Sequence, residues 1–289
     1  MNYFVEGLQG SGKSTLVRNV TRLMPRVKAY HEGDYSPTEL AWCAYMSEQQ
    51  YDAVLAKYSE IADEIRAKTF EEDRILEGGE KEVRKIVCYT RIMTDIPGFH
   101  KDLEQYEIYN NRVPLEDFKK IILSRYAAWK GDSELFECSI FQNIVEDMTL
   151  FKNLSDEEII DFYKEVKKAL SDRNFKILYL YADDVKGNLN VIRKERSDED
   201  GNELWFPLMM GFFNESPYAK ARGVSGEKAL IEHFKHRQEL EVRIGKEVFA
   251  EAFCLLRSKG YTEEEVKRFG FTVLQENEGG LIMGKETGK

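Results

Sequence analysis

Apolar residues recur along this chain in two rhythms, short consecutive runs and longer stretches spaced by three and four, and their alternation predicts an α/β protein. The run Tyr3-Phe4-Val5 predicts a first strand. Leu16, Val17, Val20 and Leu23 then recur at helical spacing up to Pro25, which predicts a helix from about Lys13 to Met24. A second strand is expected at about Val27 to His31, ending in Glu32-Gly33-Asp34. The segment 35–133 reads as mostly helical. Ser36-Pro37-Thr38-Glu39 and Ser47-Glu48-Gln49-Gln50 both carry the capping-box pattern, so helices are expected to begin near Pro37 and Glu48. Between Lys85 and Ile92 the adjacent Ile86, Val87, Cys88 and Tyr89 predict a small extra strand. Leu115, Phe118, Ile121, Ile122, Tyr126 and Trp129 share one face of a helix running from Pro114 to Lys130.

Downstream, Leu135 to Asn143 predicts a short strand turning into a helix that carries Val145, Met148 and Phe151. Ser155 and Glu158 cap a further helix with Ile159, Phe162, Tyr163, Val166 and Leu170 as its stripe. Lys176 to Tyr181 is an uninterrupted run, the pattern of a strand buried on both faces. A helix starting at Asp183-Asp184 is expected to end in Val191-Ile192-Arg193-Lys194-Glu195-Arg196. The apolar stretch Leu204 to Phe213 reads as core or lid packing, with a homodimer contact as the alternative. Beyond it, one long helix or two would place Ile244, Val248, Ala252 and Leu255 on one face. A capped turn at Thr262, a last strand Phe271 to Leu274 and a weakly ordered tail 276–289 complete the reading.

Chemistry enters between the first strand and the first helix. Gly7-Leu8-Gln9-Gly10-Ser11-Gly12-Lys13-Ser14-Thr15 matches the phosphate-loop pattern G-x-x-x-x-G-K-[ST], and its flanks are the strand and helix such a loop requires. The loop amides and the helix N-terminus make an anion cradle; Gly7, Gly10 and Gly12 let the backbone approach a phosphate without Cβ interference. In this reading Gly7, Gly10, Ser11, Gly12, Lys13, Ser14 and Thr15 bind the nucleotide. Lys13 reaches the β- and γ-phosphates and the Ser14 hydroxyl ligates Mg²⁺. In a parallel sheet the carboxyl ends of strands face the ligand crevice, which makes Glu32, Asp34 and Glu137 candidate acids, Glu137 as the metal-organising one. Arg193 and Arg196, three apart on one helix face, fit a clamp on a transferring phosphoryl group; a solvated helix end is the alternative.

Charge and cysteine usage narrow the partners. A formal net charge of −10 argues against nucleic acid or an anionic membrane surface as the main partner. Cys43, Cys88, Cys138 and Cys254 are widely spaced with no C-x-x-C pair, so neither a zinc site nor a disulfide framework is suggested. No apolar run approaches the ~18 residues a membrane span requires, and the first strand starts too early for a signal peptide. A cytoplasmic protein is the expectation.

The succession of phosphate loop, strand ending in a carboxylate, strand ending in Glu137-Cys138-Ser139 and apolar strand followed by an arginine helix resembles the deoxynucleoside kinase and thymidylate kinase branch of the P-loop kinases. The resemblance covers the core but not the segment 35–133, and Cys138 stands where that family has arginine. It implies a single domain over residues 1–289, a three-layer α/β/α fold with a parallel central sheet and a largely helical insertion, 35–133, that forms the acceptor region. It also implies a lid over 193–225, with Arg193 and Arg196 as its phosphate-binding arginines, and Glu32 as general base with Asp34 as fallback. The expected activity is ATP- and Mg-dependent phosphoryl transfer to a small-molecule acceptor, nucleoside-like or another hydroxyl-bearing metabolite. A nucleotide or antibiotic kinase is the nearest rival, and an ATP-binding regulatory protein with slow or no hydrolysis is the rival of another class. ATP is preferred to GTP because no guanine-reading N-K-x-D sequence is present.

Overall fold

The structure is a computed structural model, and it describes residues 1–75, 79 and 81–268. In chain order its elements are β1 (Asn2–Gly7), α1 (Lys13–Leu23), β2 (Lys28–Tyr30), β3 (Ala44–Ser47), α2 (Glu48–Lys57), α3 (Ala62–Ala67), β4 (Thr69–Ile75), β5 (Lys81–Val87), α4 (Phe99–Glu104), α5 (Leu115–Ala128) and β6 (Glu134–Glu137). There follow α6 (Gln142–Leu150), α7 (Asp156–Ala169), β7 (Phe175–Tyr181), α8 (Val185–Glu195), α9 (Trp205–Glu215), α10 (Pro217–Arg222), α11 (Gly226–Glu247), β8 (Phe253–Arg257) and α12 (Glu263–Arg268). They fall into two compact units. The first comprises Met1–Ala29, Lys130–Lys167 and the chain from Ser171 onward; the second is Tyr30–Trp129 with Lys168–Leu170.

The first unit is α/β. Its central sheet has the order β2-β6-β1-β7-β8, and β1 pairs in parallel with β6 on one side and β7 on the other. Strand β7 is in turn parallel to β8, with Leu178 opposite Cys254. Because side chains alternate across a strand, Tyr3 and Val5 point to one face, where Leu16, Val17 and Val20 of α1 pack on them with Leu178 and Leu180. Phe4 points to the other face and stacks on Phe136 at 5.0 Å between ring centroids. On that face Phe141 meets Tyr163 of α7 and Tyr179 of β7. Every residue of β1 is buried, which is why it reads as a continuous run and not an alternation. A separate cluster joins Val185, Leu189 and Ile192 of α8 to Phe206 and Phe213 of α9 and to Leu230 and Phe234 of α11. Leu204 and Leu208, from the stretch expected to pack or to dimerise, stay exposed.

The second unit corrects the expectation of a largely helical insertion. It holds an antiparallel sheet, β3-β5-β4, with Ala44 opposite Val87 and Glu72 opposite Arg84. The extra strand lies at Lys81–Val87, and Tyr89–Arg91 form a 3₁₀ turn instead of its continuation. Helix α2 starts where the second capping box predicts, with Ser47 accepting from the Gln50 amide and Gln50 accepting from the Ser47 amide. The first box starts no helix. The Ser36 carbonyl, which would take the first helical hydrogen bond, accepts instead from the buried Arg125 guanidinium. The Glu39 carboxylate accepts from the Ala41 amide and the Tyr109 hydroxyl rather than turning back to Ser36.

One more element differs. Helix α11 ends at Glu247, so Ala252 and Leu255 do not continue its face, and Phe253–Arg257 is the sheet's fifth strand. The strand expected at 271–274 and the tail at 276–289 lie outside the described residues. Among the described residues no helix is long and apolar enough to cross a membrane.

Candidate functional site

Strand β1 ends at Gly7, and the chain then turns back on itself into α1. The turn needs positive φ at Gly7 (139°), Gly10 (76°) and Gly12 (96°), a region that side chains with a Cβ rarely enter. At Gly7 space forbids a side chain as well, since a Cβ there would stand 2.6 Å from the Leu180 carbonyl oxygen. Gly12 is the N-cap of α1, no side chain caps that terminus, and no acidic residue stands in the first turn. The leading amides of α1 are therefore left to an outside acceptor, and the helix dipole favours an anion there.

Lys13 is buried, and its ammonium donates to the Gly7 and Leu8 carbonyls at 2.9 Å each. An ammonium has three donors, so one remains for a ligand. The Ser14 hydroxyl donates to Glu137 Oε1 at 2.5 Å, joining the start of α1 to the end of β6. A hydroxyl and a carboxylate are hard oxygen ligands, the donor set that Mg²⁺ takes together with waters and phosphate oxygens. Among the described residues no cluster of three or more His, Cys, Asp and Glu stands ready for a metal. Thr15 is exposed one residue on, and the Ser11 carbonyl accepts from the Ser258 hydroxyl after β8 at 2.8 Å.

The structure brings Gly7 through Thr15 and Glu137 together as the sequence suggests. The two arginines behave differently from each other. Arg193 donates to both oxygens of Glu203 and to Glu227, and its guanidinium lies over the Phe206 ring at 3.8 Å. The hydrogen bond to Glu203 is the chief cause of its raised pKa. Arg196 is exposed, 5.7 Å from the Trp205 ring centroid.

Glu32 and Asp34 belong to the second unit. The Asp34 carboxylate pairs with Arg91 at 2.8 Å, whereas Glu32 accepts from the Trp42 indole at 3.2 Å and offers its carbonyl to Arg91. Trp42 is exposed and holds a positive φ of 64°, unusual for a bulky residue. Cys138 is buried, also with positive φ (58°), and its amide donates to the Val5 carbonyl.

A buried ionic group beneath the loop escaped sequence reading. Arg237 of α11, with no solvent exposure, donates to Glu146 at 2.8 Å, stands 3.2 Å from Glu241 and donates to the Gln9 side-chain oxygen at 2.6 Å. His233 also meets Glu146, at 2.9 Å, and the Tyr179 hydroxyl donates to Glu241. Burial opposes the Arg237 charge, but Glu146 and then Glu241 outweigh it and its pKa is raised. Glu146 is likewise opposed by burial, yet Arg237 and His233 hold it at about 2. Glu6 has no ion pair among the described residues, and the Lys13 charge pulls on it only as the least of the causes that act there. Burial pushes its carboxyl up to about 7 although the Ile140 and Gln142 amides donate to it. The available signal was spacing: His233, Arg237 and Glu241 sit four apart, on the face of α11 that also carries the buried Leu230 and Phe234.

No protein-family model matches the chain, and no curated protein matches it.

Proposed function

We propose that the chain is a P-loop kinase with a three-layer α/β/α core, which binds ATP with Mg²⁺ and transfers the terminal phosphoryl group to a small-molecule acceptor. The observation that carries this reading is the Ser14–Glu137 contact at 2.5 Å beside a helix terminus left uncapped for an anion. In the proposed site the amides of Gly10 and of Gly12 to Thr15 and the third donor of Lys13 hold the phosphates, while the Ser11 amide closes the loop on the Leu8 carbonyl. Ser14 and Glu137 hold the metal, which when bound neutralises charge on the transferring group. Arg196 is exposed and open to a phosphate, whereas Arg193 must first leave Glu203 and Glu227. Glu32 takes the acceptor proton. Its carboxylate accepts from the exposed Trp42 indole, whereas that of Asp34 is held by Arg91.

Positioning and electrostatics supply nearly all catalysis of this type, so Lys13→Ala should lower turnover by roughly a hundred-fold or more. The unfolding midpoint should move little. Turnover measured beside thermal stability decides it: near-normal turnover in a folded variant sinks the proposal. The Arg193 ion pairs favour a second reading, a nucleotide-binding regulator that does not transfer phosphate. That reading gains if a broad acceptor screen finds tight Mg-ATP binding and no phosphorylated product.

A further inference from the structure

Gln9 sits at the centre of the loop, and both of its carbonyl groups are held from outside it. Its main-chain oxygen accepts from the Asn188 side chain of α8 at 2.6 Å, and its side-chain oxygen accepts from Arg237 at 2.6 Å. In a trans peptide C=O and N–H point in opposite directions, so Asn188 also aims the Gly10 amide away from α8. Helix α8 lies close against the loop at this point: a Cβ on Gly10 would stand 3.1 Å from the Asn188 carbonyl oxygen.

The Arg237 bond fixes the side chain in the same way. A guanidinium carries only donors, so the Gln9 amide must turn its oxygen toward Arg237 and its NH₂ away. That NH₂ has no hydrogen bond to any described residue. Lys13 donates to Gly7 and Leu8, the two residues preceding Gln9, so its ammonium and the Gln9 side chain belong to the same end of the loop. We infer that the Gln9 NH₂ is a further donor to the terminal phosphoryl group, and that Arg237 is the residue that positions it. Full burial of Arg237, held on Glu146 and Glu241, gives the orientation a rigid base.

The inference rests on the nucleotide reading above, and affinities for Mg-ATP and Mg-ADP, measured by calorimetry beside melting temperature, test the two separately. Gln9 is half-buried on a loop, which makes its variants suitable for the test. Gln9→Ala should weaken Mg-ATP relative to Mg-ADP by roughly ten- to a hundred-fold, the worth of one hydrogen bond to a charged group. Gln9→Glu keeps the partner of Arg237 and should melt no lower than the native chain, but it presents no donor and should lose the preference for ATP at least as far. An unchanged ATP-to-ADP ratio in both variants, with native binding intact, overturns the inference alone. A native chain that binds neither nucleotide overturns it together with the kinase reading. Arg237→Lys should lower the ratio in the native background and leave it unmoved in Gln9→Ala, because nothing remains to position. Equal losses in both backgrounds would remove Arg237 from the assignment.

Discussion

Glu146 is buried between the Arg237 guanidinium and the His233 ring, and the Arg237 charge makes its own both necessary and sensitive to acid. Removing one partner of a buried ion pair leaves the other uncompensated, so Glu146→Gln should cost about 3–5 kcal/mol at pH 7. In the unfolded chain this carboxyl titrates near 4.5, and in the folded protein at about 2. Between those values the unfolded state binds the proton and the folded state does not, so native stability falls as pH drops from 4.5 toward 2. The Gln variant has nothing to titrate there. Its deficit should therefore be full at pH 7 and shrink by pH 3, measured by denaturant unfolding at both; a deficit that stays constant would mean that Glu146 is not held ionised by Arg237. Glu6, whose pKa of about 7 works with the opposite sign, is common to both proteins and cancels in the difference. At this scale sequence reading found the loop and the Glu137 carboxylate that meets it, and missed the buried groups beneath them. Gly7 to Thr15 is a contiguous pattern with one chemical meaning. Glu146, Arg237 and Glu241 acquire theirs only through burial, and charged residues on a long helix otherwise read as solvated.

Elements were legible where local rules and tertiary packing agreed. Ser47 and Gln50 close their box and α2 follows. Ser36 and Glu39 carry the same pattern, but Arg125 and Tyr109 claim the groups that would have started the helix. Strand β4 and the first half of β5 escaped because their stabilising pairs are ionic: Glu71 faces Lys85, Glu72 faces Arg84 and Arg74 faces Glu82 across the ladder. Cross-strand charge pairs of this kind stabilise a sheet without leaving any hydrophobic alternation to read. At the other end of the chain, Phe253 to Leu256 is a short apolar run that fits a helix or a buried strand equally well. What settles it is Gly245 of α11, where a Cβ would overlap the Phe253 ring. Ordinarily Gly→Ala inside a helix gains up to about 1 kcal/mol. Here overpacking, about 1–3 kcal/mol, should outweigh that gain, so Gly245→Ala should be net destabilising in urea unfolding. Combining it with Phe253→Leu should recover part of the loss. A single variant as stable as the native chain would show that the helix does not need its close approach to β8.

For the whole molecule, the division into two units separates the proposed chemistry into two tests. The donor groups, Gly7 to Thr15 with Glu137 and Arg237, all belong to the first unit, whose cores run through β1, β6, β7, α8 and α11. The proposed base, Glu32, belongs to the second, which has its own core around Met46, Val54, Ile65 and Phe99. A ligand stabilises what it binds by RT ln(1 + [L]/Kd), about 2.7 kcal/mol at a hundred times Kd. Mg-ATP alone should therefore slow amide exchange in peptides covering the phosphate loop, α1 and β6, and leave those of β3, β4 and β5 as they are. Protection confined to the second unit would overturn the placement of the nucleotide. Glu32→Gln should leave the nucleotide-induced protection intact while it abolishes phosphorylation of the acceptor, because it removes a proton acceptor and no phosphate donor. If that variant loses Mg-ATP protection as well, Glu32 supports the nucleotide and is not the base. If it retains full transfer, the Asp34 carboxylate, released from Arg91, becomes the group to replace next.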